Sequence, residues 1–317
     1  IVASHRKERP VDSVDKVKQC PFCPTSPEVE GEWEVLSLPN KFPSLVPSPP
    51  EPTRHRFYRT KRARGMCEVI LETKEHEGDL CDLTLERMKK VIDLYAERYS
   101  KLGKLSYVRY VFIFRNKGEV IGVTLHHPHS QLYALPFIPP LVARELKSSK
   151  RYYRKRGECL FCRIRKVEEE DVVRVVYENV NFTCFLPFYA KWPYELHVYS
   201  KRHVQSLPEL TEKERFSLAD ALRTVTATYN ALFGFSMPYI MAIHQKPTDG
   251  KSHDYYHLHV EFYPPYRSRD KLKYPAGIER GAGTWTYDAT PEEKAEELRR
   301  TALMAAKKSS NAKTIKL

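Results

Sequence analysis

Apolar and polar positions along the chain follow two rhythms. The segments "MCEVILET" (66–73), "YVRYVFIF" (107–114) and "YIMAIHQ" (239–245) gather β-branched and aromatic residues in short runs, as strands do. Further strand-like stretches are "VIGVTLHHPHSQLYALP" (120–136), "VVRVVYENVNFTCFLP" (172–187), "ELHVYSKRHV" (195–204) and "YYHLHVEFYPP" (255–265). Two segments read differently. "DLTLERMKKVIDLYAERYSKLG" (82–103) and "ELTEKERFSLADALRTVTATYNALFG" (209–234) carry apolar residues three and four apart, the spacing of one helical face. Thr211 and Glu214 make a capping box at the start of the second helix.

The order of elements occurs twice. Each half has a C-x-x-C pair, strands, a lone histidine before a helix that opens on "LT", a strand, and a last strand carrying H-x-H. The endings align as "HPHSQLYALP" against "HLHVEFYPP". This is an internal duplication. Strands around one long helix per unit predict an α+β fold with antiparallel sheets flanked by helices. The expected division is 1–145 and 146–317, with the join in the basic segment around 141–158.

Composition sets the outer limits. The chain has 317 residues and 41% hydrophobic content, enough for a substantial core. No run of 18 apolar residues is present, so no membrane span is expected, and there is no signal-peptide pattern. The chain opens at Ile1 without a methionine, which suggests that a few residues precede it. A formal charge of +13 favours anionic partners. Much of that charge lies in runs such as "RTKRAR" (59–64) and "KSSKRYYRKR" (147–156), which read as solvated faces, and no nucleic-acid motif accompanies them.

The duplication assigns metal ligands. Cys20 and Cys23 precede His76 and His127; Cys159 and Cys162 precede His203 and His257. Each set offers two thiolates and two imidazoles, which suits tetrahedral zinc. A redox role for the C-x-x-C pairs would need a neighbouring βαβ pattern, and none follows. The bland alternative for His76 and His203 is a surface residue before a helix. Cys67, Cys81 and Cys184 read as ordinary buried thiols. On a strand, His127 and His129 point to one side and His126 to the other. One of the pair can hold metal while the other faces a substrate. Gln131 follows on the same face, placed to donate to a phosphate oxygen. An imidazole with one nitrogen fixed by a carbonyl presents the other as a nucleophile.

At these residues the chain resembles the galactose-1-phosphate uridylyltransferase family of the histidine-triad superfamily. The likeness rests on "FRNKGEVIGVTLHHPHSQ" (114–131), "SHRKERP" (4–10), "CPFC", "MAIH" (241–244) and "HVEFYPP" (259–265), and it covers nearly the whole chain. It implies a duplicated histidine-triad fold, a cytoplasmic homodimer, and two-step transfer of UMP between UDP-glucose and a hexose 1-phosphate. It implies His129 as the uridylylated nucleophile, Gln131 as the amide beside the phosphate, and Cys20, Cys23, His76 and His127 as a zinc site. Asn116, Gly122 and Thr124 match phosphate contacts. Arg6 and Arg9 match arginines near the nucleotide, and Asn40 a residue beside the uridine. Lys273 and Glu279 fall near the hexose-binding segment.

Departures from the family pattern are informative. Ser130 stands where many members have glycine. Glu145, His244, His259 and Glu261 match an iron site, but Glu261 replaces a histidine. Cys159, Cys162, His203 and His257 resemble the second zinc site of other relatives, so two zinc ions per chain are implied. The segment "RGAGTWTYDAT" (280–290) lacks a glutamine that helps read the sugar. Two other readings stand beside this one. A related histidine-triad transferase or phosphorylase would use another acceptor, and a zinc-bearing nucleic-acid-binding protein would leave H-P-H-S-Q unexplained.

Overall fold

The computed structural model describes Ile1, residues 20–29 and residues 31–314. Arg6 and Arg9 lie outside the described residues. The first half supplies β1 (Leu36–Pro39), β2 (Met66–Leu71), α1 (Leu85–Gly103), β3 (Tyr110–Lys117) and β4 (His129–Leu135). Two helices follow, α2 (Pro140–Arg156) and α3 (Leu160–Asp171). The second half continues with β5 (Val175–Glu178), β6 (Phe182–Phe185), β7 (Leu196–Ser200), α4 (Glu212–Phe233), β8 (Tyr239–His244) and β9 (His259–Tyr263). A small ribbon, β10 (Tyr266–Ser268) with β11 (Lys271–Leu272), then leads to α5 (Gly277–Ala282) and α6 (Pro291–Thr314).

Among the described residues, nine strands form one sheet in the order β1-β2-β4-β3-β8-β9-β7-β6-β5. Every ladder in it is antiparallel. Outward from the β3–β8 seam, β4 mirrors β9, β2 mirrors β7 and β1 mirrors β6. The fold class is α+β, as the pattern predicts, and the duplication is visible as this mirrored order. The expected junction at 145/146 falls within α2.

Alternation divides the sheet into two faces. Val111 and Ile113 of β3, Leu132 and Ala134 of β4, Met241 and Ile243 of β8 and Val260 and Phe262 of β9 pack with α1 and α4 in the main core. The intervening residues turn to the opposite face, where Tyr110, Leu135, Phe185 and Tyr199 pack with Val142 and Leu146 of α2 and Phe161 of α3 in a second core, and the rest of that face is left open beside β4. α1 earns its place through Met88, Val91, Ile92, Tyr95, Tyr99 and Leu102, all buried at helical spacing, and the Thr84 side chain caps it by accepting from Arg87 N–H.

The predicted strand over 120–136 begins only at His129. Glu119–Ile121 is a 3-10 turn between Gly118 (φ 101°) and Gly122 (φ 82°), conformations that glycine adopts without strain. Pro128 lacks the N–H that would extend the ladder. The stretch 172–187 is a hairpin, with Asn179 Oδ1 accepting from the Asn181 and Phe182 N–H groups at its turn. The basic segment read as a solvated join is helical in α2. Only Val142, Leu146 and Ser149 of α2 are buried, so its apolar stripe is too thin to stand out among the charges.

The capping box at α4 is present, and Arg202 joins it through two bonds of 2.7 Å to the Glu214 carboxylate. That pairing, chiefly, holds Glu214 down at about 2. A depressed carboxylate adds stability above its unfolded pKa and loses it as pH falls through the folded value. Glu214→Gln is therefore expected to cost about 1 kcal/mol at neutral pH, with the difference vanishing below about pH 2. Melting curves of both proteins across that range check it.

Candidate active site and metal centres

The turn Cys20–Cys23 brings two thiols against the entry to β4. Cys23 Sγ is 3.2 Å from His76 Nδ1 and 3.6 Å from His127 Nδ1. One donor atom from each of Cys20, Cys23, His76 and His127 lies within 4.8 Å of the others. His127 Nε2 donates to Thr73 O at 2.9 Å, which leaves Nδ1 with its lone pair toward the cluster. Burial lowers the His127 pKa to about 4, so the ring is neutral near pH 7. Burial, with Cys20 beside it, pushes Cys23 up to about 11. Two adjacent buried thiols become thiolates readily only against a cation, and two thiolates with two neutral imidazoles are a zinc donor set.

The second half repeats the arrangement. Cys159 holds the N-cap position of α3, without a side-chain capping bond, and Cys162 lies in its first turn. Cys162 Sγ is 3.3 Å from His203 Nδ1 and 3.4 Å from His257 Nδ1. His257 Nε2 is held by Ser200 O at 3.0 Å, as His127 is by Thr73. Hydrogen bonding from Cys159, His203 and His257 lowers the Cys162 pKa, while Cys159 itself is raised. His203 is exposed to solvent as a ring, yet its Nδ1 belongs to the cluster.

Beside the first cluster lies a cleft of about 230 Å³ on the open face. His129, Gln131 and Tyr133 of β4, Phe114 and Asn116 of β3, and Gly122 and Thr124 of the intervening loop line it. His129 Nδ1 donates to His127 O at 2.7 Å. Phe22, between the two cysteines, packs 5.3 Å from the His129 ring and 6.1 Å from that of His127. His126 is exposed and sits 3.2 Å from Glu119. Behind β4, on the helix side, Ser130 contacts Glu72 and lies 2.5 Å from the Tyr95 hydroxyl. Glu72 in turn holds the buried Arg115 at 3.0 Å.

The structure thus brings His129, Gln131, Asn116, Gly122 and Thr124 together. Asn40, Lys273 and Glu279 are not among the residues that line this cleft. Asn40 closes a turn, its Oδ1 accepting from Phe42 N–H at 2.9 Å. Lys273 and Glu279 are buried around Thr286, to which Glu279 is bonded at 2.6 Å. Phe22, Phe114 and Tyr133 escaped the sequence reading. The last two were signalled by alternation, since each stands two residues from a polar site residue on its strand.

A third cluster joins Glu145, His244, His259 and Glu261, again with donor atoms within 4.8 Å. Burial pulls the His244 imidazole down, but the facing Glu145 and Glu261 raise it to about 9.

Residues 3–139 match the N-terminal domain of galactose-1-phosphate uridyl transferase, and residues 145–312 match its C-terminal domain. The chain belongs to the galactose-1-phosphate uridylyltransferase family. With it the chain joins the nucleotidyltransferases of galactose metabolism. It is 37% identical to the galactose-1-phosphate uridylyltransferase of Thermotoga maritima, covering 95% of this chain and 94% of that protein. Identity to the Rattus norvegicus enzyme is 32%, covering 94% and 84%. A solved uridylyltransferase structure superposes with a TM-score of 0.86 at 46% identity, covering 90% and 91% of the two chains. An ADP-glucose phosphorylase from Arabidopsis thaliana shares the fold, with a TM-score of 0.76 at 24% identity over 93% and 92%.

The two Cys/His clusters, each a group that could hold a metal, sit at opposite halves of the sheet, and any metal they take up is expected to load independently. Cys23→Ser and Cys159→Ser should each lower bound metal by about one ion per chain in elemental analysis. Cys159→Ser should also lower the melting temperature.

Proposed function

We propose that the chain moves UMP between UDP-glucose and galactose 1-phosphate in two displacements, with His129 as the nucleophile. The observation that carries this reading is the 2.7 Å bond from His129 Nδ1 to His127 O beside the cleft. It fixes the tautomer, so Nε2 holds the lone pair. Nε2 attacks the α-phosphorus, an N–P bond forms, the bond to the bridging oxygen breaks, and glucose 1-phosphate leaves. A phosphate oxygen of galactose 1-phosphate then attacks the same phosphorus. The N–P bond breaks, UDP-galactose departs and the neutral imidazole returns. The His127 carbonyl stabilises the positive charge that the ring carries in between.

Gln131, Asn116 and Thr124 are the donors for the phosphate oxygens, and Gly122 lets the loop backbone approach them. Arg6 and Arg9 are assigned to the nucleotide phosphates, Asn40 to the uridine, and Lys273 and Glu279 to the hexose. The last two are not among the residues that line the cleft of their own chain, so a homodimer is the proposed assembly. The two thiolate clusters hold zinc, which ties each C-x-x-C segment to its H-x-H strand. The third cluster holds a further divalent ion, iron by the family pattern. No step of the transfer passes through these ions. No described helix is long and apolar enough to cross a membrane. A cytoplasmic location is proposed because reducing conditions keep zinc thiolates intact.

Incubation with labelled UDP-glucose, followed by peptide mass analysis, should place a uridylyl group on His129, dischargeable by galactose 1-phosphate. His129→Ala should still bind UDP-glucose while transfer falls by roughly 10⁴-fold or more. An adduct on another residue would remove the proposal, and discharge by inorganic phosphate alone would make the protein a phosphorylase. Removing one phosphate donor in Gln131→Ala should slow transfer by about 10²- to 10³-fold. His126→Ala, on the exposed side, should stay within about 2-fold of the parent in the same assay.

A further inference from the structure

His197 has no part in the chemistry above. It lies on β7 and pairs across the ladder with Glu261 of β9, so the two side chains leave the same, covered part of the sheet face side by side. It is only 2% exposed. Its Nε2 is 2.9 Å from Glu195 Oε1 and 3.5 Å from Glu261 Oε1, while its Nδ1 has no hydrogen-bond partner. Glu195 is itself anchored, because its other oxygen accepts the backbone N–H groups of Lys191 at 2.7 Å and Trp192 at 3.1 Å. A fixed carboxylate therefore fixes the imidazole.

Glu261 is the hub of this region. Its Oε1 is 3.5 Å from His259 Nε2, and its Oε2 is 3.8 Å from His244 Nε2. The His259 ring is buried, spends Nδ1 on His257 O, and leaves Nε2 without a hydrogen-bond partner. The gaps to Glu261 are at or beyond the limit of useful hydrogen bonds. Donors that share one ion lie ~3.0–3.4 Å apart when each is about 2.1 Å from the metal, so the gaps of 3.5 and 3.8 Å would close by a few tenths of an ångström around an ion.

We propose that Glu195 and His197 form the outer shell of a divalent-cation site whose donors are Glu145, His244, His259 and Glu261, with His197 as the residue that positions Glu261. This rests on the reading that the third cluster holds an ion. The Nε2–H of His197 is held by Glu195 at 2.9 Å and lies 3.5 Å from Glu261 Oε1, a charge contact that keeps the Glu261 carboxylate aimed between the imidazoles. The Tyr263 hydroxyl, bonded to Glu261 Oε2, restrains the other oxygen. The donors are oxygen and nitrogen without sulfur, a class that takes Fe²⁺, Mn²⁺ or Co²⁺ as well as zinc.

The test uses the full chain with its thiolate clusters loaded with zinc, titrated with Co²⁺. Uptake is followed by equilibrium dialysis and visible absorption, where an oxygen and nitrogen site lacks thiolate-to-cobalt charge transfer. The parent protein should take up about one Co²⁺ per chain at this site. His197→Leu should weaken that uptake by about 10- to 100-fold and change the visible band. His197→Gln, which keeps an N–H donor beside Glu261, should recover most of the affinity. Glu195→Gln should weaken binding in the same direction, and it reports even if His197→Leu does not fold. Parent-like affinity and spectrum in His197→Leu, with binding lost in Glu261→Gln, would overturn the role of His197. Failure of the parent protein to bind Co²⁺ would instead overturn the ion reading of the cluster.

Discussion

One short hydrogen bond organises each half of this molecule: an imidazole donating to the carbonyl two residues before it. In the first half it runs from His129 to His127, and in the second from His259 to His257, at 2.7 and 2.8 Å. In both halves the earlier histidine turns its own Nδ1 to a cysteine pair and gives its Nε2 to a backbone carbonyl. The strand entry is thereby held from both sides. The later ring has one nitrogen committed to that carbonyl, which fixes its tautomer. A pinned ring loses little entropy when it acts, which is what preorganisation supplies.

The same backbone device has two different surroundings. Beyond His129 the next residue on the face is Gln131, and Asn116 stands across on β3, so amides surround the imidazole. Beyond His259 it is Glu261, and His244 stands across on β8. Amides are neutral donors suited to phosphate, whereas carboxylates repel it and attract cations. Two side-chain types per half therefore set an amide-lined cleft apart from a cluster of carboxylates and imidazoles, while the sheet order stays mirrored about its seam. The charge buried on the helix side is balanced separately. Glu72 and Asp79 face Arg115 and Lys117 there, and Ser130 links that network to the back of the His129 strand.

Much of this was legible in the chain alone. The alternation of apolar residues gave the strands, the helical spacing gave α1 and α4, and Thr211 with Glu214 gave the cap. The duplicated C-x-x-C and H-x-H spacing named both thiolate clusters, because ligand identity and order are local and repeated. His129 and Gln131 were legible from strand alternation, whereas Asn116, Gly122 and Thr124 came from the family resemblance; all five line one cleft on a strand pair and the loop that joins it. Strand starts were less so, since Pro128 and the glycines at 118 and 122 end the ladder earlier than hydrophobicity suggests. The helix α2 was hidden by its charge.

By itself, then, the sequence determined the secondary-structure rhythm, the duplication and the donor types, all of which depend on neighbours within a few positions. Tertiary structure decided which distant groups meet. It set Phe22 against His129, left Lys273 and Glu279 out of the cleft lining and around Thr286, and placed His197 and Glu195 beside Glu261. Such pairings follow from ladder register and from the path of loops over the sheet. No local spacing encodes them, because they depend on how the whole chain resolves its burial and hydrogen bonding at once.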